Sequence, residues 1–254
     1  VSAALEFEVA DGVAVATLNR PESFNSLDLA AAEAWQSIAH ETVDRDDIAV
    51  LVITARGRAF SAGGDLRAMS EGGGELVARI AASLHDGILT LVSSTVPVVA
   101  AVTGTVAGGG LGLLLSSDYA VASDGASISA RYGAMGLSPD MSVTGLLGRA
   151  VGERRALELV LRDRALTAAE ALDWGLVAEV LPVGDVLPRS LELAAGWAAN
   201  AEAMGQSKRL LRAAAFRGLA AGLDDEAATI ARLFDSAESR ARVDRFLARS
   251  APRA

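Results

Sequence analysis

The 254-residue chain contains no cysteine, which excludes disulfides, thiol nucleophiles and thiolate-bound metals. Histidine occurs only at His40 and His85, so a histidine-rich metal site is excluded as well, and no metal is expected. Aromatic residues make up 4% of the chain against 51% apolar residues, so the core is built from alanine, valine and leucine. Positive charge is the scarcer sign. The net charge of -9 argues against nucleic acid or an anionic membrane surface as a partner, while a local basic patch would still suit a phosphorylated ligand. The N-terminus lacks the basic and apolar regions of a signal peptide, so the cytoplasm is the expected location. The length suits one large domain, or a domain with a small appendage.

What is present is organised around Val96 to Ser117. An apolar run, Val96 to Val102, leads through Thr103-Gly104-Thr105-Val106-Ala107 to Gly108-Gly109-Gly110 and a second apolar run. This reads as buried strand, tight turn and buried helix. Consecutive glycines let a ligand approach the backbone, and the first amides of the helix lack intrahelical acceptors. Such a turn holds an anion or a developing oxyanion, although a turn that only packs helix on strand explains the stretch equally well by itself. Nucleotide loops fit poorly: Leu111-Gly112 stand where a phosphate loop needs Lys and Ser or Thr, and Leu113 replaces the third glycine of a dinucleotide turn. No charge lies between Asp86 and Asp118, yet Pro97, the glycines and the flanking aspartates favour a buried core over a membrane span.

Along the chain, Val13 to Leu18 and Ile48 to Thr54 read as strands, with Asn19 to Ser23 as a loop and Asn25 to Asp28 as caps for an alanine-rich helix. The stretch Arg56 to Arg67, with Ala59-Phe60-Ser61-Ala62-Gly63-Gly64-Asp65 at its centre, reads as a second glycine turn after the second strand. If the two strands are neighbours, amides at Gly64 and near Gly109 converge on one oxygen. Ser70 to Glu75, with Gly72-Gly73-Gly74, is expected to be a mobile lid, the alternative being a plain linker. Glu71 and Glu75 are weak substitutes for a rigidly held base. Glu153 to Leu161 reads as a helix, Thr167-Ala168-Ala169-Glu170 as a capping box, and Leu176 to Leu181 as a strand. From Val186 helices follow one another, with joints expected at Gly205, Gly218 and Gly222 and a frayed C-terminus.

Several pieces together resemble the enoyl-CoA hydratase/isomerase (crotonase) family. They are Leu18 to Glu22 with Asn25, Ala59 to Leu66, Val98 to Asp118, Gly136-Leu137-Ser138-Pro139-Asp140, Arg155 to Leu159 and Ala171 to Val177. The resemblance implies an α/β fold, a spiral of repeated β-β-α units over 1–190 with a helical trimerisation region over 191–254. It also implies homotrimers or dimers of trimers, with a late helix beginning near Leu223-Asp224-Asp225-Glu226 that packs by a neighbouring subunit's acyl pocket. The implied ligand is an acyl-coenzyme A thioester, with no permanently bound cofactor. By carry-over, the amides of Gly64 and Gly109 hold the thioester enolate. Ser23, Phe24 and Ala62 lie near the nucleotide, and Arg67 and Lys208 near the phosphates; for Arg20, Arg67 and Lys208 the plain alternative is a solvated charge.

The departures from the family narrow the chemistry. The two glutamates of family hydratases are replaced by Gly112 and Tyr132, which leaves Asp140 as the carboxylate facing the acyl group. Ser138-Pro139-Asp140 resembles the single-aspartate isomerases of phenylacetate pathways, so a Δ3-to-Δ2 double-bond shift is favoured. The plain reading of Asp140 is a cap for the helix after it. Desolvation by Met69, Met135 and Val143 would raise its pKa. The alternatives are hydration, dehalogenation or hydrolysis of an aryl-CoA, and a non-catalytic acyl-CoA binder. His85 and the Tyr132-to-Asp140 interval match the 4-chlorobenzoyl-CoA dehalogenase branch, but a helix-surface or packing role is preferred for His85.

Overall fold

A computed structural model describes residues 4–215 and 219–250. Six strands form the main sheet, in the order β1 (Leu5–Ala10), β2 (Val13–Leu18), β3 (Val50–Ala55), β5 (Val98–Val102), β7 (Tyr119–Ser123) and β10 (Glu179–Leu181). Only the β1–β2 pair is antiparallel. A second sheet has the order β4 (Ala59–Ser61), β6 (Thr105–Ala107), β8 (Ser127–Ser129) and β9 (Ala165–Thr167), the first three parallel. The chain thus places one strand in each sheet and then a helix, and repeats the step. β3 and β4 lead into α2 (Leu66–Ser93), and β5 and β6 into α3 (Gly109–Ser116). This is the expected spiral.

β3 and β5 read as continuous apolar runs because parallel strands are covered on both faces. One face, with Leu51, Ile53, Val98 and Ala100, packs in the main core; the other, with Val50, Val52, Val99 and Ala101, packs against Val186 and Ala194. Those two residues belong to α7 (Val183–Ala198), so the boundary expected between 190 and 191 falls inside a helix that covers the sheet. α1 (Leu29–Asp44) begins where Asp28 accepts the Ala31 amide, as its cap-like sequence implies. Residues 21–23, expected as loop, form a single 3-10 turn. The Thr167 capping box opens α6 (Ala168–Asp173), and α4 (Val143–Val151) and α5 (Glu153–Leu161) complete the middle of the chain.

The expected lid is helix. α2 runs from Leu66 to Ser93 and breaks only at Gly73, whose φ of 64° and ψ of -165° suit glycine alone. It is the one helix among the described residues long and apolar enough to cross a membrane, but here its apolar face packs on α1 and on α9 (Leu219–Phe234). Gly205 is no joint: it sits inside α8 (Ala201–Ala215), where an added Cβ would overlap the Thr95 carbonyl. Gly222 lies inside α9, whereas Gly218 and the tail 251–254 fall outside the described residues. α9 packs on α2 of its own chain, and α10 (Ala237–Ser250) follows it.

Candidate active site

β4 and β6 are parallel neighbours, so their glycine turns leave the small sheet at the same end. The turns touch. Gly63 has a φ of +89°, and a Cβ there would lie 2.8 Å from both the Ala107 carbonyl and the Gly109 nitrogen; one on Gly110 would overlap the Ser61 carbonyl. Glycine is therefore required for the two backbones to come together, which is the physical content of both motifs. Around them the polar groups are paired in a fixed pattern. Leu27 donates to the Gly63 carbonyl at 2.8 Å, Asp65 to the Leu27 carbonyl at 3.0 Å, and Gly108 to the Ala130 carbonyl at 3.0 Å. Among the described residues, the Gly64 and Gly109 amides donate to no backbone carbonyl, and Gly109 stands at the first position of α3, where no intrahelical acceptor exists.

Both glycines line a cavity of about 440 Å³ together with Asp140, Tyr132 and an apolar wall that includes Met69, Leu84 and Met135. Asp140 is the one acidic residue in that lining. Asp140 is 8% exposed, and its carboxylate accepts a 2.7 Å hydrogen bond from the Tyr132 hydroxyl. Burial pushes its pKa up from 3.8 to about 6, against the opposing pull of the Tyr132 bond. Met69 and Met135 line the cavity as expected, whereas Val143 is buried at the start of α4 and does not. The plain capping role for Asp140 is absent: Ser142 is the N-cap of α4, with no side-chain cap, and at this helix start Asp140 accepts, from Val143, through its backbone carbonyl and not its carboxylate.

Gly112, where the first hydratase glutamate would stand, leaves no vacant space, because a Cβ there would overlap Met141. Met141 and Ser142 both adopt positive φ, and the Met141 amide donates to His85 Nε2 at 3.2 Å. His85 is buried, so it packs inside the protein and not on a helix surface, and it reaches the site through Met141, the residue after Asp140, without lining the cavity. The signal for it was helical spacing, four residues after Ala81 and three before Ile88.

The nucleotide-end residues divide. Ala62 lines the cavity and donates to the Phe24 carbonyl at 3.0 Å, while Ser23 lies in the adjoining 3-10 turn and Arg67 is exposed on the first turn of α2. Lys208 does not join them. It is buried at the far end of α2, where it donates to the Leu91 and Val96 carbonyls at 2.8 and 2.6 Å and pairs with Asp118 at 2.9 Å. Its role is structural, and burial lowers its pKa against the pull of Asp118. Arg20 is likewise turned inward, onto Asp28 and Asp65. Two arginines were missed from the sequence: Arg131, at positive φ, lines the cavity, and Arg58 stacks its guanidinium 4.4 Å from the Phe24 ring centroid. Glu71 and Glu75 are exposed and outside the cavity lining.

A family model described as enoyl-CoA hydratase/isomerase matches residues 8–253. A probable enoyl-CoA hydratase of Rhodobacter capsulatus is 32% identical over 98% of this chain and 96% of its own length. A trans-2-decenoyl-[acyl-carrier-protein] isomerase of Streptococcus mutans is 34% identical over 68% of each chain. Among solved structures, an enoyl-CoA hydratase from Mycobacterium avium subsp. paratuberculosis superposes with a TM-score of 0.88 at 28% identity, over 96% of this chain and 99% of that one. Paired glycine turns on a β-β-α spiral, matched over nearly the whole length, place this chain in the enoyl-CoA hydratase/isomerase family.

Proposed function

We propose that this acyl-CoA enzyme shifts a double bond from the 3 to the 2 position of an enoyl thioester, with Asp140 as its single acid/base. The observation that carries the proposal is the cavity lining: one carboxyl group, Asp140, faces the same space as the glycine turns. Asp140 takes the proton from carbon 2, and the electron pair moves onto the thioester oxygen. The Gly64 and Gly109 amides donate to that oxygen, an arrangement worth ~2.7–4 kcal/mol per donor in comparable sites. The same carboxyl then returns the proton to carbon 4, leaving the double bond between carbons 2 and 3. A pKa near 6 suits both steps close to neutral pH. Tyr132, donating to Asp140, holds the carboxylate on the acyl side.

Water addition by two glutamates has no counterpart, because Met141 fills the space beside Gly112 and Tyr132 occupies the second position. At the coenzyme end, Ser23, Phe24 and Ala62 would border the nucleotide, and Arg67, with Arg58 and Arg131, would meet the phosphates. Assembly as a homotrimer or dimer of trimers would cover the leucines exposed at Leu157 and Leu161 on α5 and at Leu210 and Leu211 on α8.

Proton NMR of a 3-enoyl-CoA in deuterated water tests the proposal. The expected result is conversion to the 2-enoyl thioester with deuterium exchange, reduced by ~10²–10⁴-fold in Asp140→Asn. No double-bond shift and no deuterium at carbon 2 or carbon 4 would refute it. Product carrying solvent oxygen would indicate hydration or hydrolysis.

A further inference from the structure

α2 breaks at Gly73. The helix restarts at Gly74, whose amide would be orphaned as at any helix start. It donates instead to Asp235 Oδ1 at 3.0 Å, from 161 residues further along the chain. A Cβ on Gly74 would overlap that carboxylate, so the junction is built for glycine. The Asp235 amide in turn donates to the Ala231 carbonyl at 3.3 Å, closing the end of α9, and Arg240 of α10 pairs with its carboxylate at 2.7 Å. One side chain therefore ties together three helices. Hydrogen bonds from Arg240 and Gly74 hold its pKa below the usual carboxylate range, so it is charged at neutral pH.

The same three helices build the apolar side of the cavity. Val77, Ile80 and Leu84 come from α2 beyond the break, Ile230 from α9 and Phe246 from α10. We propose that Asp235 is a positioning residue for substrate selection: by capping Gly74 it holds these walls together, so that the site favours an extended apolar acyl group over a short one. The inference rests on this cavity being the acyl site of an acyl-CoA enzyme, and not on the direction of the reaction.

Titration calorimetry on the full chain tests it with thioesters that cannot isomerise: decanoyl-CoA, butyryl-CoA and free coenzyme A. Because every buried methylene adds affinity, decanoyl-CoA is expected to bind at least about tenfold tighter than butyryl-CoA. Asp235→Ala should shrink that ratio about fivefold, the scale of one lost helix cap, with affinity for free coenzyme A held within about twofold. Asp235→Asn, whose amide oxygen still accepts the Gly74 amide, should keep most of the ratio. A wild-type ratio in Asp235→Ala would overturn the proposal. So would an equal weakening of all three ligands, which marks a general structural role, or a wild-type ratio near one. Absence of isomerase activity leaves these ratios unaffected, so the two readings fail separately.

Discussion

The chain contains two runs of three glycines, and their fates are opposite. In Gly108-Gly109-Gly110 the backbone passes against a second turn, and Gly109, whose amide donates to no backbone carbonyl among the described residues, lines a cavity. In Gly72-Gly73-Gly74 the backbone breaks a helix, and the Gly74 amide is taken by a carboxylate. The neighbouring acids mirror this difference. Asp140, beside the open amides, is pushed up to about 6 by burial, whereas Asp235, which occupies its amide, is held below its ordinary value by its hydrogen bonds. Glycine gives the backbone freedom in both places; what takes the amide decides whether the turn receives a ligand or fastens a helix.

The largest effect should come from forcing the open turns apart. Gly63→Ala meets both a positive φ and two backbone atoms at 2.8 Å. Its kcat/KM on an enoyl-CoA should fall about 10²–10³-fold, as when an oxyanion donor is lost. A loss of less than about tenfold would mean that the paired amides are not used.

Next comes the contrast between the two acids. The folded state raises the Asp140 pKa above its unfolded value, so its contribution to stability is fully present below about 3.8 and is lost as pH rises through about 6. Asp140→Asn should therefore gain about 2–3 kcal/mol on wild type between pH 4 and pH 7 in denaturant titrations. The same ionisation should make kcat/KM of the wild type rise with pH through about 6. Asp235 has the opposite sign: its contribution is present at neutral pH and is lost on acidification.

Gly112→Ala places a Cβ on Met141, beside Asp140; overpacking of this kind costs about 1–3 kcal/mol and should lower Tm and activity together. Gly74→Ala should have the smallest effect. Pressing on the Asp235 carboxylate, it should reduce discrimination between decanoyl and butyryl thioesters by about fivefold or less.

The parts legible in the sequence are those fixed by local chemistry. β2, α5 and the Thr167 box match their sequence patterns because alternation, amphipathic spacing and a reciprocal cap act within a few residues. The adjacency of the glycine turns was also readable, since two strand-and-turn units in series pair side by side in this fold. Asp140 was recognised from its motif, but the Tyr132 bond that orients it joins residues from different sides of a 3-10 turn. The lid expected over Ser70 to Glu75 is helix instead because the carboxylate that caps Gly74, that of Asp235, lies far along the chain and leaves no local sign. Lys208 failed similarly: a lysine on a polar helix gives no local sign that Asp118 and two carbonyls are waiting for it.

That lysine bears on how the protein is made. Asp118 accepts the Val98 amide at 2.9 Å and so belongs to the central strands, yet its charge is neutralised from α8 by Lys208 and Arg212. Removing one partner of such a buried pair costs about 3–5 kcal/mol, a large part of the roughly 5–15 kcal/mol that holds a typical domain together. The early strands therefore emerge from the ribosome before the cations that pair with this carboxylate, and burying it stays costly until α8 has been synthesised. Truncation before α8 would yield a polypeptide prone to aggregate, not a smaller working enzyme.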